Sequence, residues 1–192
     1  MRIFTGTEFT GLHMGTTLIS IGMVDEQGHS FYAEFSDYDL EQVEPWMQEN
    51  IIDKLEFNKE DKHIETKISE DFYSIKVKGT KDEIKKELIQ WLDQYDDVIF
   101  VMDIGHYDFI LLIDLITGDA ARMSERMSSA YYDINHDISV YKGVDISAAY
   151  RINRESLYKE INETDLPHMD KSSTMYRAEL TKGIYYGIHD ID

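Results

Sequence analysis

Glu8 and Asp108 are the two carboxylates whose surroundings could do chemistry. Glu8 lies in Gly6-Thr7-Glu8-Phe9-Thr10-Gly11-Leu12, at the end of the first apolar run. Asp108 closes Asp103-Ile104-Gly105-His106-Tyr107-Asp108, just beyond a later one. A third passage, Ser172-Ser173-Thr174-Met175-Tyr176-Arg177, opens the last helical segment. Carboxylate oxygens suit hard divalent ions, whereas a guanidinium such as Arg177 suits a phosphate through its fork of donors. Leu12 and Tyr107 fit a core. The bland account of Glu8 and Asp108 is that of polar residues ending a strand and opening a helix.

Other chemistry is poorly supplied. His13, His106, His136, His168 and His189 show no ligand-like grouping, and the chain has no cysteine, which removes disulfides and thiolate metal sites. There is no phosphate-cradling glycine loop and no G-x-S-x-G nucleophile elbow. The charge is lopsided: 19 basic residues against 38 acidic ones give −19. Such a surface repels phosphate backbones, so long nucleic acid is an unsuitable partner. No run approaches the roughly 20 apolar residues that cross a bilayer, and MRIFTGTEF carries no basic-then-apolar leader. A cytoplasmic protein without membrane contact is expected.

The elements that must position these residues follow from periodicity. With 192 residues and 42% hydrophobic ones, a single domain spanning 1–192 is expected. Met1–Phe9, Thr17–Val24 and Ser30–Phe35 read as a three-stranded meander, with Gly28 placed where a hairpin needs positive φ. The stretch Asp37–Asp53 has a helical rhythm at Val43, Trp46, Met47 and Ile51. Asn58–Gly79 reads as a small insertion, an alternating hairpin. Thr80 opens a helix through Tyr95, with Glu83 completing a capping-box pattern. Val98–Met102 is apolar throughout, as in a parallel strand covered on both faces. His106–Ile116 reads as a helix, Ile138–Tyr141 as a short strand, and Ile146–Ile161 and Ser172–Tyr186 as helices.

G-T-E-F-T-G-L, D-I-G-H-Y-D and S-S-T-M-Y-R, in that order, resemble the motifs of the four-carboxylate (DEDD) 3′–5′ exonucleases. The family patterns are D-x-E-x-T-G-L, N-x-x-x-[FY]-D and H-x-x-x-x-D. The likeness is greatest to the small exoribonuclease-like group of bacteria and their phages, and it covers nearly the whole chain apart from 58–79. It implies a ribonuclease H-like fold: a five-stranded mixed sheet, its first three strands antiparallel, with helices on both faces. In such enzymes two Mg²⁺ or Mn²⁺ ions activate a water and stabilise the leaving oxygen.

The departures from those patterns imply a lost activity. Gly6 stands where the bridging aspartate would be, Ser172 where the general-base histidine would be, and Arg177 where the third-motif aspartate would be. Only Glu8 and Asp108 remain as family metal ligands. Histidine to serine and aspartate to arginine each need at least two base changes, so the losses read as settled. The leading expectation is a catalytically dead binding protein without a cofactor, holding a host protein or a small nucleotide; in a phage it would serve counter-defence or host takeover. Thr10, Gly11, Leu12, Tyr107 and Arg177 would hold the nucleotide. A second expectation is a residual exonuclease with one Mg²⁺ or Mn²⁺ on Glu8, Asp108 and Asp103. A third is an acidic nucleic-acid mimic presenting Asp37–Asp61 and Asp82–Asp97. A homodimer is compatible with each.

Overall fold

β-Branched and aromatic residues crowd the start of the chain, and they form three strands: β1 (Arg2–Phe9), β2 (Leu18–Asp25) and β3 (Ser30–Phe35). In this computed structural model, which describes residues 1–57, 62–69, 72–118, 127 and 130–189, each is antiparallel to the next. Gly28 adopts φ +96° in the turn between β2 and β3, a conformation that glycine takes without a Cβ penalty. The buried Asp25 braces that turn by accepting from the backbone amides of Gln27 and His29, both at 2.8 Å.

The sheet has seven strands, not the expected five. Its order is β4-β5-β3-β2-β1-β6-β7, where β4 is His63–Ser69, β5 Phe72–Gly79, β6 Ile99–Met102 and β7 Tyr132–Asp133. The 58–79 segment accounts for the difference. Its hairpin joins the sheet edge, with β5 parallel to β3 and β4 antiparallel to β5. The alternation of β5 turns Ile75 and Val77 into the core, so pairing buries apolar area that a free hairpin would expose. The part of the insertion at 58–61 and 70–71 lies outside the described residues.

Helices cover both faces. On one, α2 (Lys81–Leu92) and α3 (Gly105–Ile116) bring Ile84, Leu88, Trp91 and Leu112 onto Ile3, Ile21, Phe31 and Phe100. On the other, α4 (Asn135–Lys142), α5 (Ile146–Ala149), α6 (Arg154–Asn162) and α7 (Thr174–His189) pack on Phe4, Val24 and Val101. The segment before β4 carries α1 (Pro45–Asn50), flanked by the 3-10 turns Leu40–Gln42 and Ile52–Lys54. The single helix read over Asp37–Asp53 is therefore three short pieces, restarted where Pro45 sets the first helical position. No described helix is long and apolar enough to cross a membrane.

Three further readings are corrected. Ile138–Tyr141 is helical, not a strand: Ile134, Ile138 and Tyr141 share the packed side of α4, while Val140 faces solvent. The last strand, β7, is the pair Tyr132–Asp133 instead. Ile146–Ile161 is two helices, because Asn153 is extended and its side chain caps α6 by accepting from the Ser156 amide at 2.9 Å. The helix opened at Thr80 stops at Leu92. Its cap is as expected, with Glu83 accepting from the Thr80 amide at 2.9 Å.

Candidate functional site

β1 and β6 are parallel neighbours, so their carboxyl ends open at the same edge of the sheet. Ligands of open α/β sheets gather at such ends. Glu8 lies near the end of β1, Asp103 follows β6, and Asp108 sits in the first turn of α3. With Arg177 from α7 they line one cleft of about 620 Å³, joined by Leu12, Tyr107, Arg154 and Lys171. Ser172 is not in that lining: its amide and hydroxyl both go to Asp170, at 2.9 and 2.6 Å.

Gly6 faces Gly22 across the β1–β2 ladder, and the first turn of α7 stands on that pair. A Cβ on Gly6 would lie 2.7 Å from the Thr174 carbonyl oxygen and 2.8 Å from the Arg177 Cβ. On Gly22 it would lie 2.5 Å from the Met175 amide nitrogen. Such distances are well inside van der Waals contact. An aspartate at position 6 needs α7 to move away, so the glycine is a packing requirement.

Two arginines hold the acids. The Arg177 guanidinium pairs with Glu8 through Nη2 and donates to the Thr7 carbonyl oxygen at 3.3 Å. Burial holds the Glu8 carboxyl above its ordinary range despite that guanidinium. Arg154 Nε donates to both Asp103 oxygens at 2.9 Å, and its Nη2 donates to Asp103 Oδ1 at 2.6 Å. Nη1 reaches the carbonyls of Ala149 and Ile152, and Nη2 also the Asn135 side-chain oxygen. The expectation that Asp103 could turn to a metal meets a residue already claimed by this fork.

Asp108 is held otherwise. The Thr7 hydroxyl donates to its Oδ1 at 2.8 Å. Burial pushes its carboxyl up to about 7, with the Asp103 and Glu8 charges adding to the rise and the Thr7 hydrogen bond and Arg177 opposing it. Arg177 therefore pairs with Glu8 and acts on Asp108 only through its charge. Among the described residues, no three His, Cys, Asp or Glu side chains group as a metal site.

The loop after β1 is bonded within itself. The Thr10 amide donates to the Thr17 carbonyl at 2.9 Å, and the Gly11 amide to the Thr16 hydroxyl at 3.0 Å. Thr10 and Gly11 thus hold their own loop rather than offering free amides to a nucleotide. Leu12 is exposed, and Tyr107 stacks on Phe9 with 5.8 Å between ring centroids. Both stand at the cleft.

Sequence reasoning passed over Arg154 and Asn135. Reading Ile146–Ile161 as one helix placed Arg154 in a helix middle. Asn153, a strong N-cap residue type, was the available signal that a new helix opens there and turns Arg154 toward the cleft. Nothing in spacing linked Arg154 to Asp103, 51 positions away. No family model matches this chain, and no curated protein does.

Proposed function

We propose that this chain is a ribonuclease H-like, exonuclease-type protein that no longer cuts and instead binds a small nucleotide in the cleft at the ends of β1 and β6. The observation that carries the reading is the seat of α7. Its first turn fills the space of a side chain at Gly6, and its Arg177 lies against Glu8. A cation brought there would meet a guanidinium, and the remaining carboxylates are engaged. This donor set does not fit a pair of divalent ions.

The strand plan supports the fold side of the reading. β1, β2 and β3 are successively antiparallel and β6 runs parallel to β1, which is the pattern the resemblance implies. Binding is supported by Arg177 itself. Its side chain is 51% exposed, and its engaged donors leave room for a phosphate oxygen. The Phe9–Tyr107 stack and Leu12 offer an apolar surface beside it for a base. A charge of −19 favours a small ligand over a polymer, because long-range repulsion grows with phosphate number. A protein partner is the second reading, favoured by the exposed Leu12 and Met14 on one loop.

One pair of assays tests this. Purified protein with Mg²⁺ or Mn²⁺ and short RNA should release no mononucleotide above Glu8→Ala. Nucleoside monophosphates should raise the melting temperature of the natural protein and leave that of Arg177→Ala unmoved. Cleavage that disappears in Glu8→Ala would overturn the loss of catalysis. An equal nucleotide response in both proteins would remove the ligand from the cleft.

A further inference from the structure

The far edge of the sheet carries a pattern unrelated to the cleft. β4, His63-Ile64-Glu65-Thr66-Lys67-Ile68-Ser69, is the terminal strand. A terminal strand presents backbone donors and acceptors along its outer side. Natural edges are usually blunted by charged side chains, proline, a bulge or a covering segment, and the charges of β4 are the opposite pair Glu65 and Lys67. β4 has no proline, and its register with β5 runs unbroken from His63 to Ser69.

The strand is also a near-palindrome. About Thr66, Glu65 mirrors Lys67 and Ile64 mirrors Ile68. We propose that two copies of this chain pair their β4 strands antiparallel about a two-fold axis centred on Thr66, joining their sheets edge to edge.

Side-chain directions fit this pairing. Ile64 and Ile68 lie opposite Val77 and Tyr73 of β5, so they continue the apolar face that α2 covers over Ile75 and Val77. At the edge that face is bare: Ile64 is 50% exposed and Ile68 76%. Pairing about Thr66 sets Ile64 of one copy opposite Ile68 of the other, twice, and extends the stripe across the axis. On the opposite face Glu65 of each copy meets Lys67 of the other, again twice. Within one chain these two already lie 2.9 Å apart, with Lys67 63% exposed. Among the described elements, α2 packs on β5 and β3.

Charge selects this register over its neighbours. A two-fold perpendicular to the sheet must pass through a residue position if side chains are to stay on their own faces. Centring it on Glu65 would oppose two glutamates, and centring it on Lys67 would oppose two lysines. Like charges directly opposite destabilise a pair. Only the Thr66 centre avoids both while overlapping the whole strand. Such an isologous contact closes on itself and yields a dimer, not a fibre.

Sedimentation velocity over a concentration series, at fixed salt, tests the proposal. The natural chain should show a concentration-dependent dimer. Glu65→Lys and Lys67→Glu should each weaken it about tenfold or more, since both cross-strand charge pairs become repulsive. The double variant Glu65→Lys/Lys67→Glu should return to within about threefold of the natural chain. An equimolar mixture of the two single variants should form a heterodimer, because the paired lysines of one chain then meet the paired glutamates of the other. That mixture restores only the pairs between chains, so it separates the interface from the contact within one chain. Ile68→Lys, at a position already exposed, should also give monomer while keeping the natural circular dichroism spectrum. A chain that stays monomeric to about 100 μM, a dimer indifferent to these variants, or a mixture without heterodimer would overturn the proposal.

Discussion

Arg154 and Arg177 face the same cleft and each holds a carboxylate, yet their settings differ. The Arg154 side chain is 14% exposed and the Asp103 side chain 28%. All of Arg154's nitrogens are engaged: Nε and Nη2 on Asp103, Nη2 also on Asn135, and Nη1 on the carbonyls of Ala149 and Ile152. One side chain thus ties the end of β6 to α4, α5 and α6. Arg177 is half exposed, and among the described residues its guanidinium bonds to Glu8 and the Thr7 carbonyl. A saturated guanidinium is a structural joint, whereas one with donors toward solvent is a place for an anion. The lesson is that the charge pair matters less than the donors left over.

Removing the joint should have the larger effect. Arg154→Ala leaves the Asp103 charge without its guanidinium beside Asn135 and removes bonds to two carbonyls, of which Ala149 keeps the Ile152 amide. Breaking such a pair should destabilise by about 3–5 kcal/mol, which for a chain of this size lowers the melting temperature by about 6 °C or more. Arg154→Lys should recover little, because an ammonium cannot reproduce the planar fork. A melting temperature within about 2 °C of the natural protein would reduce Arg154 to an ordinary surface pair.

Asp108 supplies an intermediate effect with a definite sign. Its carboxyl is raised from 3.8 to about 7 by burial, so the folded state holds a proton that the unfolded chain has released. The stabilising proton is fully present below pH 4, and stability falls as pH rises from there to about 7, levelling off above. Burial of Glu8 acts in the same sense. Asp108→Asn keeps an acceptor for the Thr7 hydroxyl and cannot ionise. It should therefore flatten this part of the curve, gaining roughly 3–4 kcal/mol over the natural protein at pH 8 relative to pH 4. Denaturant melts at the two pH values measure it, and parallel curves for the two proteins would show that Asp108 is ionised throughout.

How much of this was legible in the sequence divides along physical lines. The meander, the capping box and the main apolar strand were readable because each depends on neighbours within a few positions. The α/β architecture followed from their order. Ile138–Tyr141 misled because a β-branched run and a helical stripe share Ile138, and only the packing partner decides. The hairpin's alternation was visible, but its place at the edge of β3 was not, since sheet addition is a long-range choice. In the cleft, Glu8, Asp108 and Arg177 were named from their motifs. That Gly6 is required by the close seat of α7, and that Arg154 claims Asp103, depends on backbone approach and on residues far apart in the chain. No local pattern encodes either.

Arg177→Ala should give the smallest effect and separates the two arginines most sharply. Solvent screens a half-exposed guanidinium, and Glu8 has an alternative once its partner is gone: burial already raises its carboxyl, and losing Arg177 raises it further, so it can take a proton. The expected destabilisation at pH 7 is about 1 kcal/mol, or about 2–4 °C. It should shrink as pH falls, because a protonated Glu8 has no need of the guanidinium. Arg154→Ala should stay destabilising over the same range, since its lost bonds to two carbonyls and Asn135 do not titrate. The natural protein should melt alike with Mg²⁺ and with EDTA, because Arg177 holds the position a cation would seek. If Mg²⁺ stabilises the natural protein by several degrees, a cation displaces the guanidinium, and Arg177 is then a gate on a metal site rather than an anchor for a phosphate.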